Sequence, residues 1–266
     1  MSRDQLSLSA LGLFGLALVV LALATARRPA GEVPSREGYL DRWQVLHGGY
    51  DARSGSVWLR GWLTMVYAIA RPLARRGVLP DVVTVSSIWL AGLVLVLSEV
   101  GGRWWIAAGW TMVLSGLFDT LDGCVAVLTD RTTRWGYVLD SAVDRVNDAI
   151  YLLAVVAVSC PPPLAATLGF AFFFMEYLRA RAGNAGGSEV GRVTIAERPV
   201  RVILLSASIH FSGVFEGLSD VLPVIGPSVM LALTVVATGQ LAVTLRRQLL
   251  DVPIDAPEGR RVHDQA

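Results

Sequence analysis

Seven stretches of this chain are apolar over about 17 to 25 residues, the length a helix needs to cross a bilayer, and no other feature narrows the possible folds as much. They run roughly Leu6 to Ala26, Asp81 to Glu99, Trp104 to Leu128, Arg134 to Val158, Leu164 to Ala182, Pro199 to Phe215 and Val224 to Leu245. Backbone groups in lipid must find partners within their own segment, so such runs predict an all-α integral membrane protein. Composition agrees, with 53% of residues hydrophobic and 17% charged. The 23 basic residues, all Arg, balance 22 acids to a net charge of +1, which excludes a nucleic-acid surface built on bulk charge. Cys124 and Cys160 form neither a disulfide framework nor a metal-binding spacing.

The distribution of arginine sets sidedness. Met1 to Gln5 carries no net positive charge, so the first run reads as an uncleaved anchor rather than a signal peptide, despite Ala24-Thr25-Ala26. Arg27 and Arg28 follow it and place residue 27 in the cytoplasm. With the later runs alternating, every arginine except Arg3, Arg103 and Arg145 falls on the cytoplasmic side. Between the first two runs, Val57 to Leu79 mixes Trp58, Trp62 and Tyr67 with Arg60, Arg71 and Arg75, as a helix lying in the interface would, with a bend or break near Pro72. His47-Gly-Gly-Tyr-Asp51 reads as a turn. The expected organisation is an anchor at 1–28, a cytoplasmic linker and interfacial helix at 29–79, a six-span bundle at 80–250 and a polar tail at 251–266.

Four acids stand where a charge is costly. Asp119 and Asp122 lie near the cytoplasmic end of one span, Asp140 and Asp144 near that of the next. A carboxylate deep in a span costs about 2.5 to 3.5 kcal/mol, so four together call for a neutralising partner. Spacings of three and four residues put each pair on one helix face, and two facing pairs make a cage. Its ligands are all hard oxygens, which selects Mg2+ or Mn2+ over zinc. Gly123 and Gly136, on the same faces, leave room for a ligand to approach.

The segment Asp119-Thr-Leu-Asp122-Gly123-Cys-Val-Ala126-Val127, then eight residues, then Gly136-Tyr-Val-Leu-Asp140-Ser-Ala-Val-Asp144, resembles the signature of CDP-alcohol phosphatidyltransferases, D-x2-D-G-x2-A-R, a gap of eight or nine, G-x3-D-x3-D. Val127 is the departure, standing where that signature has Arg; Arg131 or Arg134 in the following loop is expected to supply the missing charge. The resemblance implies a six-helix bundle, here extended by the anchor and the interfacial helix, that moves a phosphatidyl group from CDP-diacylglycerol to a small alcohol. It implies two metal ions held by Asp119, Asp122, Asp140 and Asp144, with Asp144 also acting as general base. Asp81 and Thr84, with Gly123, Ala126 and Gly136, are implied near the CDP-lipid; helix capping explains Asp81 equally well. It further implies a homodimer in lipid, in a bacterial cell membrane, with the site facing the cytoplasm.

Arg179 and Arg181 end the fifth span and Arg198 and Arg201 open the sixth. These segments look like those of bacterial phosphatidylinositol phosphate and phosphatidylglycerophosphate synthases, which implies a phosphate on the acceptor, inositol phosphate or glycerol 3-phosphate. Arg suits that work because its planar fork binds phosphate oxygens in pairs, although positive-inside anchoring explains the same residues. A cation transporter would place its acids near mid-bilayer in pseudo-symmetric halves, and no repeat is present. A catalytically diverged scaffold is the reading that Val127 favours and the four retained acids oppose.

Overall fold

The computed structural model describes residues 31–46, 49–55, 57–186 and 194–250, and these are helical throughout their regular parts. The expected anchor and tail lie outside the described residues. The helices are α1 (Arg36–Leu46), α2 (Val57–Arg75), α3 (Pro80–Val100), α4 (Trp104–Thr129), α5 (Arg134–Ala157), α6 (Pro162–Asn184), α7 (Arg198–Val214) and α8 (Leu222–Leu249), with a short 3-10 turn at Glu216–Leu218.

The six expected spans after the anchor are therefore helices, their ends marked by the residues that usually mark them. Proline opens α3, α6, α7 and α8 within the first two positions, where a missing N–H costs nothing. The interfacial segment is helical and runs through Pro72, which sits in its last turn, so the expected bend or break coincides with the helix end. Among the described residues, three helices are long and apolar enough to cross a membrane by length and composition, α3, α4 and α8. By contrast α5 and α6 carry the charges of the site described below, and α7 has only 17 residues.

Helix α3 packs against both α4 and α5, α4 also meets α7 and α2, and α8 closes the bundle against α6 and α7. One core fills the middle of the bundle around Met112, Tyr151, Phe172 and Met230. A second lies where α1 and α2 meet α4, around Tyr39, Val66, Leu121 and Leu128. Helix α1 was not expected, since its residues read as linker. It is tied down by Tyr39, 2% exposed, whose ring stacks on Tyr67 at 5.7 Å.

Between α4 and α7 the backbones approach closely. A Cβ added to Gly109 would lie 2.6 Å from His210 Cβ and 2.8 Å from the Ser206 carbonyl oxygen. Small residues at such crossings let membrane helices pack without a hydrophobic driving force. Gly109→Ala is expected to destabilise the bundle by about 1 to 3 kcal/mol through overpacking against immovable backbone. Thermal unfolding in detergent reads this, and an unchanged midpoint refutes it.

Candidate metal centre and substrate cavities

The turn from α4 to α5 sets the site. Asp130 ends α4 in the left-handed region at φ 56°, and Thr133 caps α5 by accepting the Gly136 N–H at 2.9 Å. Each of these two helices packs on α3 rather than on the other, so their facing acids look across a gap. There Asp119 from α4 and Asp140 and Asp144 from α5 converge, each offering an oxygen within 4.8 Å of the others. Three hard oxygen donors at that spacing fit a divalent cation such as Mg2+ or Mn2+.

Asp122 stands apart from this set. It is 5% exposed; its Oδ1 accepts the N–H of Gly123 at 2.5 Å, and its Oδ2 is buried without a hydrogen-bond partner among the described residues. A buried carboxylate oxygen left so is costly, and a cation beside it is one way to offset that cost. The expected cage of four is thus three converging acids and a fourth one helix turn away.

Arg198, at the start of α7, enters the cluster. Its Nη1 donates to Asp119 Oδ1 at 2.5 Å and also contacts Asp144 Oδ1. A guanidinium among partly desolvated carboxylates offsets their charge as a cation would, and Arg198 stands at the acid cluster itself.

Two cavities meet at the acids. The first, about 480 Å³, is lined by Asp119, Asp122 and Asp140 with Asp81, Thr84, Gly123, Ala126, Val127, Arg131 and Gly136, and by Tyr39, Trp43 and Leu46 of α1. A Cβ added at Gly123 would meet nothing within 4 Å, so this glycine borders open space in the cavity. Every residue expected near the CDP-lipid lines this cavity except Arg134, which is exposed at the start of α5. The second cavity, about 500 Å³, is lined by Asp144, Arg145, Tyr137, Ser141, Glu176, Tyr177 and Arg179.

The four arginines expected at the acceptor separate. Arg179 lines the second cavity while donating to Glu197 Oε1 at 2.6 Å and to Thr194. Burial alone would raise the Glu197 carboxyl, but Arg179 and the Thr194 N–H and hydroxyl hold it below the usual carboxylate value. Arg181 is exposed at the end of α6. Arg201 corrects the expectation: it is 1% exposed, and its three guanidinium nitrogens bond Asp148 at 3.2 Å, Glu176 at 2.6 Å and the Ala196 carbonyl at 3.1 Å. With all three engaged inside the bundle, it ties α7 to α5 and α6 and lines neither cavity. Arg145, which the sequence places within a span, pairs with Asp148 at 3.3 Å; Glu176 is the residue the sequence reading misses, although, a lone acid in the run Phe172 to Leu178, it carries the same signal of misplaced charge as the four aspartates.

A family model described as CDP-alcohol phosphatidyltransferase matches residues 77–236. The chain is similar to the phosphatidylinositol phosphate synthase of Cutibacterium acnes, 31% identical over 161 residues that make up 58% of this chain and 76% of that one. It is also similar to the archaetidylinositol phosphate synthase of Pyrococcus horikoshii, 28% identical over 56% of this chain and 78% of the relative. Among solved structures, Mycobacterium tuberculosis phosphatidylinositol phosphate synthase with CDP-DAG bound matches with a TM-score of 0.58 at 25% identity, over 69% of this chain and 94% of that one. The same enzyme in complex with manganese and citrate matches with a TM-score of 0.57 at 25% identity, over 68% and 88%. An all-helical bundle with an acid cluster able to hold a metal, matched over more than half its length by one family model, is an enzyme of that kind: the chain belongs to the CDP-alcohol phosphatidyltransferase family.

Proposed function

We propose that this chain transfers the phosphatidyl group of CDP-diacylglycerol to a phosphorylated polyol, inositol phosphate before glycerol 3-phosphate, with release of CMP. The observation that carries the reading is the acid cluster at the junction of two cavities, Asp119 and Asp140 facing one and Asp144 the other. The first cavity takes the CDP moiety, and the second takes the acceptor. Asp119, Asp122 and Asp140, with Asp144 at the edge, would hold two Mg2+ or Mn2+ ions, which supply neutralisation of the diphosphate. Asp144 accepts the proton of the acceptor hydroxyl as its oxygen attacks the lipid-side phosphorus. The bond from that phosphorus to the bridging oxygen breaks, and CMP departs with the electron pair. Arg145 and Arg179, beside Asp144, attract the acceptor's own phosphate. The relatives' names favour inositol phosphate.

The catalytic bundle in this reading is 80–250, preceded by an anchor at 1–28 and the linker and interfacial helix at 29–79, and followed by the tail at 251–266. The cavities open at the end of the bundle that carries Arg131, Arg134, Arg181 and Arg198, which supports a cytoplasmic site in a bacterial cell membrane. The homodimer belongs to the same proposal, and light scattering of the detergent-solubilised protein reads it.

Purified protein in mixed micelles with CDP-diacylglycerol and Mg2+ is expected to release CMP with inositol phosphate, more slowly with glycerol 3-phosphate, and about as slowly as water alone permits with unphosphorylated inositol. Equal rates with inositol and its phosphate would overturn the phosphorylated acceptor. No CMP with any alcohol would overturn the transfer.

A further inference from the structure

Helix α1 lies outside the residues matched by the family model, which begin at 77, yet it walls the first cavity. Tyr39, Trp43 and Leu46 face the same space as Asp119, Asp122 and Gly123. The neighbouring Arg42 donates from Nη1 to the carbonyl oxygen of Val127 at 3.0 Å. That carbonyl belongs to the last turn of α4, where its backbone partner is the Asp130 N–H at 3.5 Å and the helix dipole is negative, so a cation is favoured there. Val127 is also the position at which the signature carries arginine and this chain does not. The placement of α1 is fixed by burial, since Tyr39 is 2% and Leu40 5% exposed against α2 and α4.

From this coincidence we infer that α1 is part of the nucleotide site, with Arg42 giving the CDP diphosphate the guanidinium that position 127 lacks and Trp43 giving its ring to the cytosine base. The inference rests on the CDP-lipid reading above. An arginine held at one nitrogen by a carbonyl keeps further N–H donors for phosphate oxygens, and the hold fixes its plane in advance. An indole face accepts a nucleobase by stacking without needing a sequence of hydrogen bonds. Arg131 lines the same cavity from the α4–α5 turn; Arg42 does not line it but is bonded to Val127, which does, so the diphosphate would lie between the two guanidinium groups.

The test uses the full chain in mixed micelles at saturating acceptor. Arg42→Ala is expected to raise KM for CDP-diacylglycerol about ten- to a hundredfold, the loss of one charge-assisted hydrogen bond, with kcat and the acceptor KM near wild type. Trp43→Ala is expected to raise the same KM about tenfold. Adding Val127→Arg to Arg42→Ala restores the charge without restoring the tether and is expected to recover most of the loss. Unchanged CDP-lipid KM in both single variants overturns the inference, as does a loss of kcat and both KM values together, which marks a merely structural α1. Should the wild type transfer nothing, the parent reading fails on its own. Stabilisation by CDP with Mn2+ then still decides α1, an equal thermal shift in wild type and Arg42→Ala counting against it.

Discussion

Asp144→Asn is expected to lower kcat about 10²- to 10⁴-fold, the span typical of losing a general base, while the KM for CDP-diacylglycerol stays within a few fold of wild type. The asymmetry follows from where the carboxylate sits. Asp144 lines the second cavity and not the first, so under the proposed assignment a change there touches the acceptor's side of the reaction. Four residues earlier on α5, about 6 Å along the axis, Asp140 lines the first cavity and not the second. Asp140→Asn is therefore expected to weaken CDP-lipid binding as well as turnover, and to shift the metal concentration needed for half-maximal rate. The fold should tolerate Asp144→Asn, because Arg198 keeps Asp119 at 2.5 Å and the amide is isosteric with the acid. Kinetics of CMP release at saturating acceptor read the effect. A variant retaining a third or more of wild-type kcat removes Asp144 from proton transfer and leaves it a metal ligand at most.

Much of this architecture was legible because its physical signals are local. Long apolar runs mark α3 to α8 within a few residues, and acids in apolar sequence mark Asp119, Asp122, Asp140 and Asp144. What spacing cannot supply is which partner a side chain finds. Asp119 and Asp122 share a helix face, yet one points into the acid cluster while the other folds back on the Gly123 N–H. Arg198 and Arg201 look alike in sequence at the start of α7; one turns to the acids and the other is buried between α5 and α6. Helix α1 was illegible for a different reason. Arg36, Glu37, Asp41 and Arg42 among its 11 residues hide a short apolar face that the surfaces of α2 and α4 complete. Tertiary contact, not propensity, makes that helix.

Arg201 carries the largest expected effect on stability. Its side chain is 1% exposed, lies over the Phe172 ring at 4.5 Å from the centroid, and joins Asp148 of α5 and Glu176 of α6 to α7. Replacing it by Met keeps the volume but strands Asp148, 7% exposed, inside the bundle and takes from Glu176, 27% exposed, its shortest ion pair. Arg145 helps only in part, at 3.3 Å from Asp148 and 4.0 Å from Glu176, while Arg179 stays 3.6 Å from Glu176. Removing one partner from a buried ionic network costs about 3 to 5 kcal/mol, far more than the net worth of the intact network. Arg201→Met is therefore expected to unfold at much lower temperature in detergent. Neutralising the stranded partners, Arg201→Met with Asp148→Asn and Glu176→Gln, should recover most of that loss, because the penalty lies in the uncompensated charges. Activity should not recover with it. Glu176 lines the second cavity beside Arg145 and Arg179 and helps hold both, so the triple variant is expected to fold yet show a raised acceptor KM with the CDP-lipid KM unchanged. A single variant as stable as wild type to within about 1 kcal/mol would mean that water or lipid headgroups reach these carboxylates, and the buried network would not be what holds α5, α6 and α7 together.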